Sequence, residues 1–133
     1  MKTNATPLSP ETMSKEICSL LQAIGPEVRL QIILAIGRGE SCVCHLEAIL
    51  GERQAYISQQ LMALREAGVI TSRRDGRFVF YRLVDPKVLD LLHEAWCIQA
   101  GSDETPTWRQ SRKSRQCKCP TCTSTGVAAK SRN

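Results

Sequence analysis

A mainly α fold with a small β-hairpin, a winged helix-turn-helix of order α-α-α-α-β-β-α, is predicted by this sequence of 133 residues. Three observations carry the prediction. Apolar residues recur at helical spacing in four segments up to Gly68 and again after Pro86. Between them the period changes to two short strand-like runs around Asp75-Gly76, a favoured hairpin dipeptide. A short third helix and a longer fourth are separated only by Gly51-Glu52-Arg53, as a helix-turn-helix requires.

Ser9-Pro10-Glu11 reads as a helix start, a hydroxyl N-cap followed by Pro at the first helical position. Met13, Ile17, Leu20, Leu21 and Ile24 follow on one face, and Gly25-Pro26 separates this helix from the next. Val28, Ile32, Ile33 and Ile36 mark the second helix, which Gly37 and Gly39 stop. The third helix is expected over Cys44–Leu50, with Leu46, Ile49 and Leu50 facing inward. The fourth runs from Gln54 to Ala67 with Ile57, Leu61 and Leu64 as its buried stripe, and Gly68 closes it. Val69-Ile70-Thr71 and Phe78-Val79-Phe80-Tyr81 are the predicted strands, with residues 73–77 between them. Asp85-Pro86 caps a last helix carrying Val88, Leu89, Leu91, Leu92, Ala95 and Trp96. Residues 1–8 read as a flexible arm, 9–100 as the folded domain, and 101–133 as a basic, cysteine-containing tail without periodicity, expected to be disordered.

Composition narrows the function classes. Hydrophobic residues make up 42% of the chain and aromatic residues 5%, so an aliphatic core is affordable. No apolar run approaches a membrane span and no signal-peptide core opens the chain, so a cytoplasmic protein without membrane attachment is expected. The net charge of +5 is carried by the tail: residues 1–100 hold 11 basic and 11 acidic residues, and 101–133 hold 7 and 2. Any basic face on the domain must therefore come from local clustering. There is no G-x-G-x-x-G and no phosphate-loop lysine motif. Cys119-Pro120-Thr121-Cys122 has redox-pair spacing but lacks a βαβ setting, so an enzyme is not expected.

The fourth helix has what a base-reading helix needs, one apolar face for its core and one polar face for groove edges. Gln54, Tyr56, Ser58 and Gln59 lie early in it and off the buried stripe, and Gln pairs bidentately with adenine. Arg73, Arg74 and Arg77 flank the hairpin turn, suited to phosphates or the minor groove. Double-stranded DNA is the partner these features imply.

Seven cysteines is a high count for a sequence in which no export signal is read, and the odd number argues against a closed disulfide framework. Cys42-Val43-Cys44 is one cluster. Residues two apart on a regular helix diverge by about 200°, so this pair converges on one ion only if the stretch is loop or distorted. Cys117-Lys118-Cys119-Pro120-Thr121-Cys122 is a second cluster, among basic and polar residues that give its thiols no core. Thiolates are soft ligands, suited to As(III)/Sb(III) and Cd(II)/Pb(II). Cys97 ends the last helix and Cys18 sits in the first. A redox or persulfide response, using Cys42 or Cys44 with Cys97, is the alternative chemistry.

Pro26-Glu27-Val28-Arg29-Leu30, then Ile33-Leu34, resembles the second-helix signature of the ArsR/SmtB metalloregulators. Ser41-Cys42-Val43-Cys44-His45-Leu46 is similar to the Cys-Val-Cys-Asp-Leu box of arsenite repressors. Ile57-Ser58-Gln59-Gln60-Leu61, with Leu64 through Ile70, resembles the family's recognition helix and its exit. Arg74-Asp75-Gly76-Arg77 through Leu83 resembles its wing. The resemblance covers about residues 12–98. It implies a homodimeric repressor on an inverted-repeat operator, paired through its first and last helices and released by an inducer. The chain departs from the box at Glu47, where a third cysteine often stands, and at His45, where Asp is common. The third thiol must then come from Cys97, Cys18 or the Cys117–Cys122 cluster. The family's zinc site uses Asp and His pairs on the last helix. Asp90 and His93 are present without a second pair, so that site is not expected here.

Overall fold

The computed structural model describes residues 9–104 and Cys119. The arm 1–8, Cys117, Cys122 and the rest of the tail lie outside the described residues, and so do the expectations placed on them. The elements are α1 (Pro10–Ile24), α2 (Glu27–Ile36), β1 (Ser41–Cys42), α3 (Val43–Leu50), α4 (Gln54–Glu66), β2 (Ile70–Asp75), β3 (Phe78–Leu83) and α5 (Lys87–Ala100).

The caps follow from the residue types. The Ser9 hydroxyl accepts from the Thr12 amide at 3.1 Å, satisfying one of the donors a helix start leaves open. Asp85 does the same for α5, accepting from the Lys87 amide at 3.0 Å. Gly51 closes α3 in the left-handed conformation, φ +74°, and its amide reaches Glu47 O. Gly51→Ala meets nothing within 4 Å, so its cost is conformational alone. We expect about 1 kcal/mol and a Tm lower by about 4–8 °C, measured by thermal denaturation; an unchanged Tm would mean this turn relaxes freely.

The core forms where α2, α3, α4 and the sheet meet. Ile32, Ile33 and Ile36 of α2 pack with Leu46 of α3, with Ile57, Leu61 and Leu64 of α4, and with Ile70 and Leu83 of the strands. The stripe expected on α4 is the buried one. Arg29 fastens this arrangement: its Nε donates to Gln60 Oε1 at 2.8 Å and a terminal nitrogen to Ala23 O at 2.9 Å, tying α2 to α4 and to the end of α1.

Two corrections to the hairpin arise. The sheet has three strands, in the order β1-β3-β2, because Ser41 and Cys42 pair antiparallel with Tyr81 and Phe80. The hairpin also turns one residue later than Asp75-Gly76 suggests. Asp75 pairs with Phe78, which leaves Gly76-Arg77 as a two-residue loop. Gly76 has φ +66° and, among the described residues, no non-glycine residue has positive φ, so the turn has glycine in its first central position, as type II′ prefers. Arg73 and Arg74 therefore lie on β2 and point to opposite faces.

The outer helices are differently placed. On α1 only Ile24 is buried, while Met13, Ile17, Leu20 and Leu21 are exposed. On α5 no residue is buried, and Leu91, Trp96 and Ile98 are exposed. An apolar cleft of about 330 Å³ runs between them, lined by Leu20, Val69, Val84, Val88 and Leu91 among others. Among the described residues, no single helix is long and apolar enough to cross a membrane.

Candidate nucleic-acid interface and thiol site

The head of α4 projects from the domain because its buried stripe fixes its rotation. Ile57, Leu61 and Leu64 lock one face into the core, which leaves Gln54, Tyr56 and Gln59 exposed and Ser58 half-buried. These are the four residues expected to read DNA, and they share the first two turns of the helix. Arg53 was passed over in the sequence, where it reads as turn; it stands at the N-cap of α4, exposed beside Gln54. A cation immediately before a recognition helix was the available signal.

The three wing arginines separate into two kinds. Arg74 and Arg77 are exposed, and their side chains make no ion pair or hydrogen bond among the described residues. Arg73 is held: Nε and one terminal nitrogen donate to the two Glu40 carboxylate oxygens at 2.7 and 2.8 Å. Its guanidinium also lies over the Phe80 ring, 4.8 Å from the centroid. The bidentate hydrogen bonds hold the Glu40 carboxyl below its ordinary value. Arg73 thus fastens β2 to the segment leading into β1, while Arg74 and Arg77 stay exposed on the wing.

Cys42 is the last residue of β1 and the N-cap of α3, with extended backbone (φ −94°, ψ 170°); Cys44 is the second residue of the helix. Because the pair straddles a strand–helix junction, the divergence of a regular helix does not apply. The two Sγ atoms lie 3.4 Å apart. Both sit where the positive end of α3 favours negative charge. Around them is a small cluster distinct from the main core: Cys42, Phe80 and Cys119 are buried, with Cys44 and Phe78 packed against them. A close thiol pair suits a soft, thiophilic ion as part of its ligand set. Among the described residues, no group of three or more His, Cys, Asp or Glu is gathered closely enough to hold a metal ion as it stands.

The remaining candidates lie elsewhere. Cys97, half-buried on α5, has its Sγ 3.5 Å from His93 Nε2 and 3.5 Å from Asp103 Oδ1. Desolvation, with Asp103 beside it, raises its thiol above the ordinary value. Cys18 is exposed on the outer face of α1. His93, expected on ordinary helix surface, contacts Cys97 one turn on, and Asp90 pairs with Arg38 at 3.7 Å. His45 is buried, and desolvation lowers its pKa, so its ring is held neutral.

Residues 26–72 match the model of the arsR family of bacterial regulatory proteins. The chain is 36% identical over 94 residues to the biofilm growth-associated repressor of Agrobacterium fabrum, covering 71% of this chain and 80% of the relative. It is 37% identical over 81 residues to the arsenical resistance operon repressor of Escherichia coli K12, covering 58% of this chain and 69% of that protein. Among solved structures, the transcriptional repressor BigR from Xylella fastidiosa superposes with a TM-score of 0.60 at 35% identity, over 68% of this chain and 96% of that one. These relatives are transcriptional repressors, and the fold they share is the one built above from α2, α3, α4 and the wing. The chain belongs to the ArsR/SmtB family of winged helix-turn-helix DNA-binding regulators.

Proposed function

We propose that this protein is a transcriptional repressor that a thiophilic metal or metalloid, held by Cys42 and Cys44, releases from its operator. The observation that carries the reading is the 3.4 Å approach of the two sulfurs at the head of α3. That helix packs directly on α4, so a ligand that repositions the start of α3 acts one helix away from the base-reading face. As(III)/Sb(III) and Cd(II)/Pb(II) fit the donor type, and the similarity to an arsenical resistance repressor supports the first pair. Working thiols require a reducing compartment, so the reading goes with a cytoplasmic protein. The alternative, a redox or persulfide response, would need Cys97 as the partner thiol, and Cys97 contacts His93 and Asp103 rather than the pair.

The test is operator binding measured anaerobically with arsenite, Cd(II) or a polysulfide, for wild type and for Cys42→Ser/Cys44→Ser. The wild type should lose affinity at least tenfold with one of the metal species, which needs a coupling of only about 1.4 kcal/mol. The double variant should bind the operator normally and stay bound. Release by polysulfide alone, or full release of the double variant, would overturn the reading.

The DNA side has its own tests. Arg74→Ala or Arg77→Ala should weaken binding to all sequences alike and reduce the slope of log affinity against log salt by about 1. An unchanged slope would remove that residue from the phosphate-contacting set. The exposed faces of α1 and α5 are the proposed homodimer interface, which sets two copies of α4 on an inverted repeat. Ile17→Glu places a charge in that face and should give a monomer by sedimentation, with operator affinity at least tenfold lower. A variant that remains dimeric would move the interface elsewhere.

A further inference from the structure

The tail segment Cys117–Cys122 is surrounded by basic and polar residues. Its one described residue, Cys119, is nonetheless fully buried, at 0% exposure. It packs in the cluster of Cys42 and Phe80, with Cys44 and Phe78 alongside. Three of the chain's seven cysteines, from positions 42, 44 and 119, therefore meet at one place. Cys97 and Cys18, the other described cysteines, are on α5 and α1 and take no part in it.

We infer that Cys119 is the third thiol of the Cys42–Cys44 site, so that the carboxyl-terminal tail completes a three-sulfur site for a trivalent metalloid or soft divalent cation at the base of the wing. The inference rests on the reading of Cys42 and Cys44 as the effector site, and it answers the departure at Glu47. Two features favour a ligand role over simple packing. Its own stretch of sequence is basic and polar and offers no apolar face to bury, yet this one thiol is buried against two further thiols. The neighbours are also chemically matched, since three soft donors are what trivalent arsenic takes up. The packing is looser than coordination, because no three donors among the described residues are within ligand range of a common ion; binding must draw the sulfurs in.

The chemistry balances without a redox partner. Each thiol gives its proton to one hydroxyl of As(OH)₃, so three As–O bonds break, three As–S bonds form and three waters leave. With Cd(II) the three thiol protons go to solvent. Drawing in the sulfurs has a structural route outward. Cys42 is paired with Phe80 across β1 and β3, and the Phe80 ring lies beneath Arg73, which Glu40 clasps. Occupancy therefore bears on the wing as well as on α3.

The experiment uses the full-length reduced protein titrated with arsenite. It reads sulfur-to-arsenic charge-transfer absorbance and, by mass spectrometry, which thiols the ligand shields from alkylation. In the wild type, Cys42, Cys44 and Cys119 should be shielded while Cys18 and Cys97 react. Cys119→Ser should bind arsenite at least tenfold more weakly and shield only two thiols, and Cys97→Ser should match the wild type. Free alkylation of Cys119 in the loaded wild type, or shielding of Cys117 or Cys122 in its place, would overturn the inference. So would wild-type affinity in Cys119→Ser. If Cys42→Ser/Cys44→Ser still loses the response in that case, the pair stands as the effector site and only the Cys119 assignment fails. Undiminished binding by that double variant would overturn both.

Discussion

Phe80→Ala is expected to destabilise the domain by about 3–5 kcal/mol, the usual cost of removing a buried aromatic ring. Phe80 is 2% exposed and is among the largest fully enclosed side chains. It sits mid-strand in β3, paired with Cys42 on one side and Arg73 on the other. Truncation opens a void beside the thiol cluster and removes the surface over which the Arg73 guanidinium lies. A small domain has only about 5–15 kcal/mol of stability in all, so the urea midpoint should fall sharply. Phe80→Leu keeps most of the volume and should cost less than half as much. A Phe80→Ala loss under about 1 kcal/mol would mean the second cluster collapses around the gap and holds the wing only weakly.

Gln59→Ala should lower affinity for the specific operator by about 5–150-fold, the worth of a bidentate base contact of about 1–3 kcal/mol. Binding to unrelated DNA should hardly change, because that affinity comes from phosphates. Stability should stay within about 0.5 kcal/mol, since Gln59 is exposed. The neighbouring Gln60 supplies the control. Its side-chain oxygen accepts from Arg29 at 2.8 Å, so Gln60→Ala should cost stability, with little change in sequence preference. Equal losses by Gln59→Ala on operator and random DNA would show that α4 is not docked through its first turns. Electrophoretic or anisotropy titrations at one fixed salt concentration distinguish these outcomes.

Local pattern was enough for the parts that local pattern determines. The Ile57, Leu61, Leu64 stripe, the Ser9 cap and the exposed Gln54, Tyr56 and Gln59 all follow from helical period and residue type. The features it did not show depend on residues distant in sequence. β1 has two residues and exists only because Ser41 and Cys42 find Tyr81 and Phe80. The hairpin turns at Gly76-Arg77 because the pairing of Asp75 with Phe78 outweighs the dipeptide preference. Arg73 reads as one more wing cation until Glu40, 33 residues earlier, closes on it. The Cys-Val-Cys spacing was visible, and so was the condition for its convergence; the strand–helix junction that meets the condition was not. Burial of Cys119 against Phe80 has no local signal at all, since the residues around it in sequence are polar.

Repressor release is a linkage between two binding equilibria, and linkage is reciprocal. The most direct measurement is the affinity of the full-length protein for arsenite or Cd(II), alone and saturated with operator DNA, compared with operator affinity in the presence and absence of the same ion. The two ratios should agree and exceed tenfold in the wild type, and both should fall to one in Cys42→Ser/Cys44→Ser. Equal ion affinity for the free and the operator-bound protein would contradict thiol-controlled release, however tightly the ion is held.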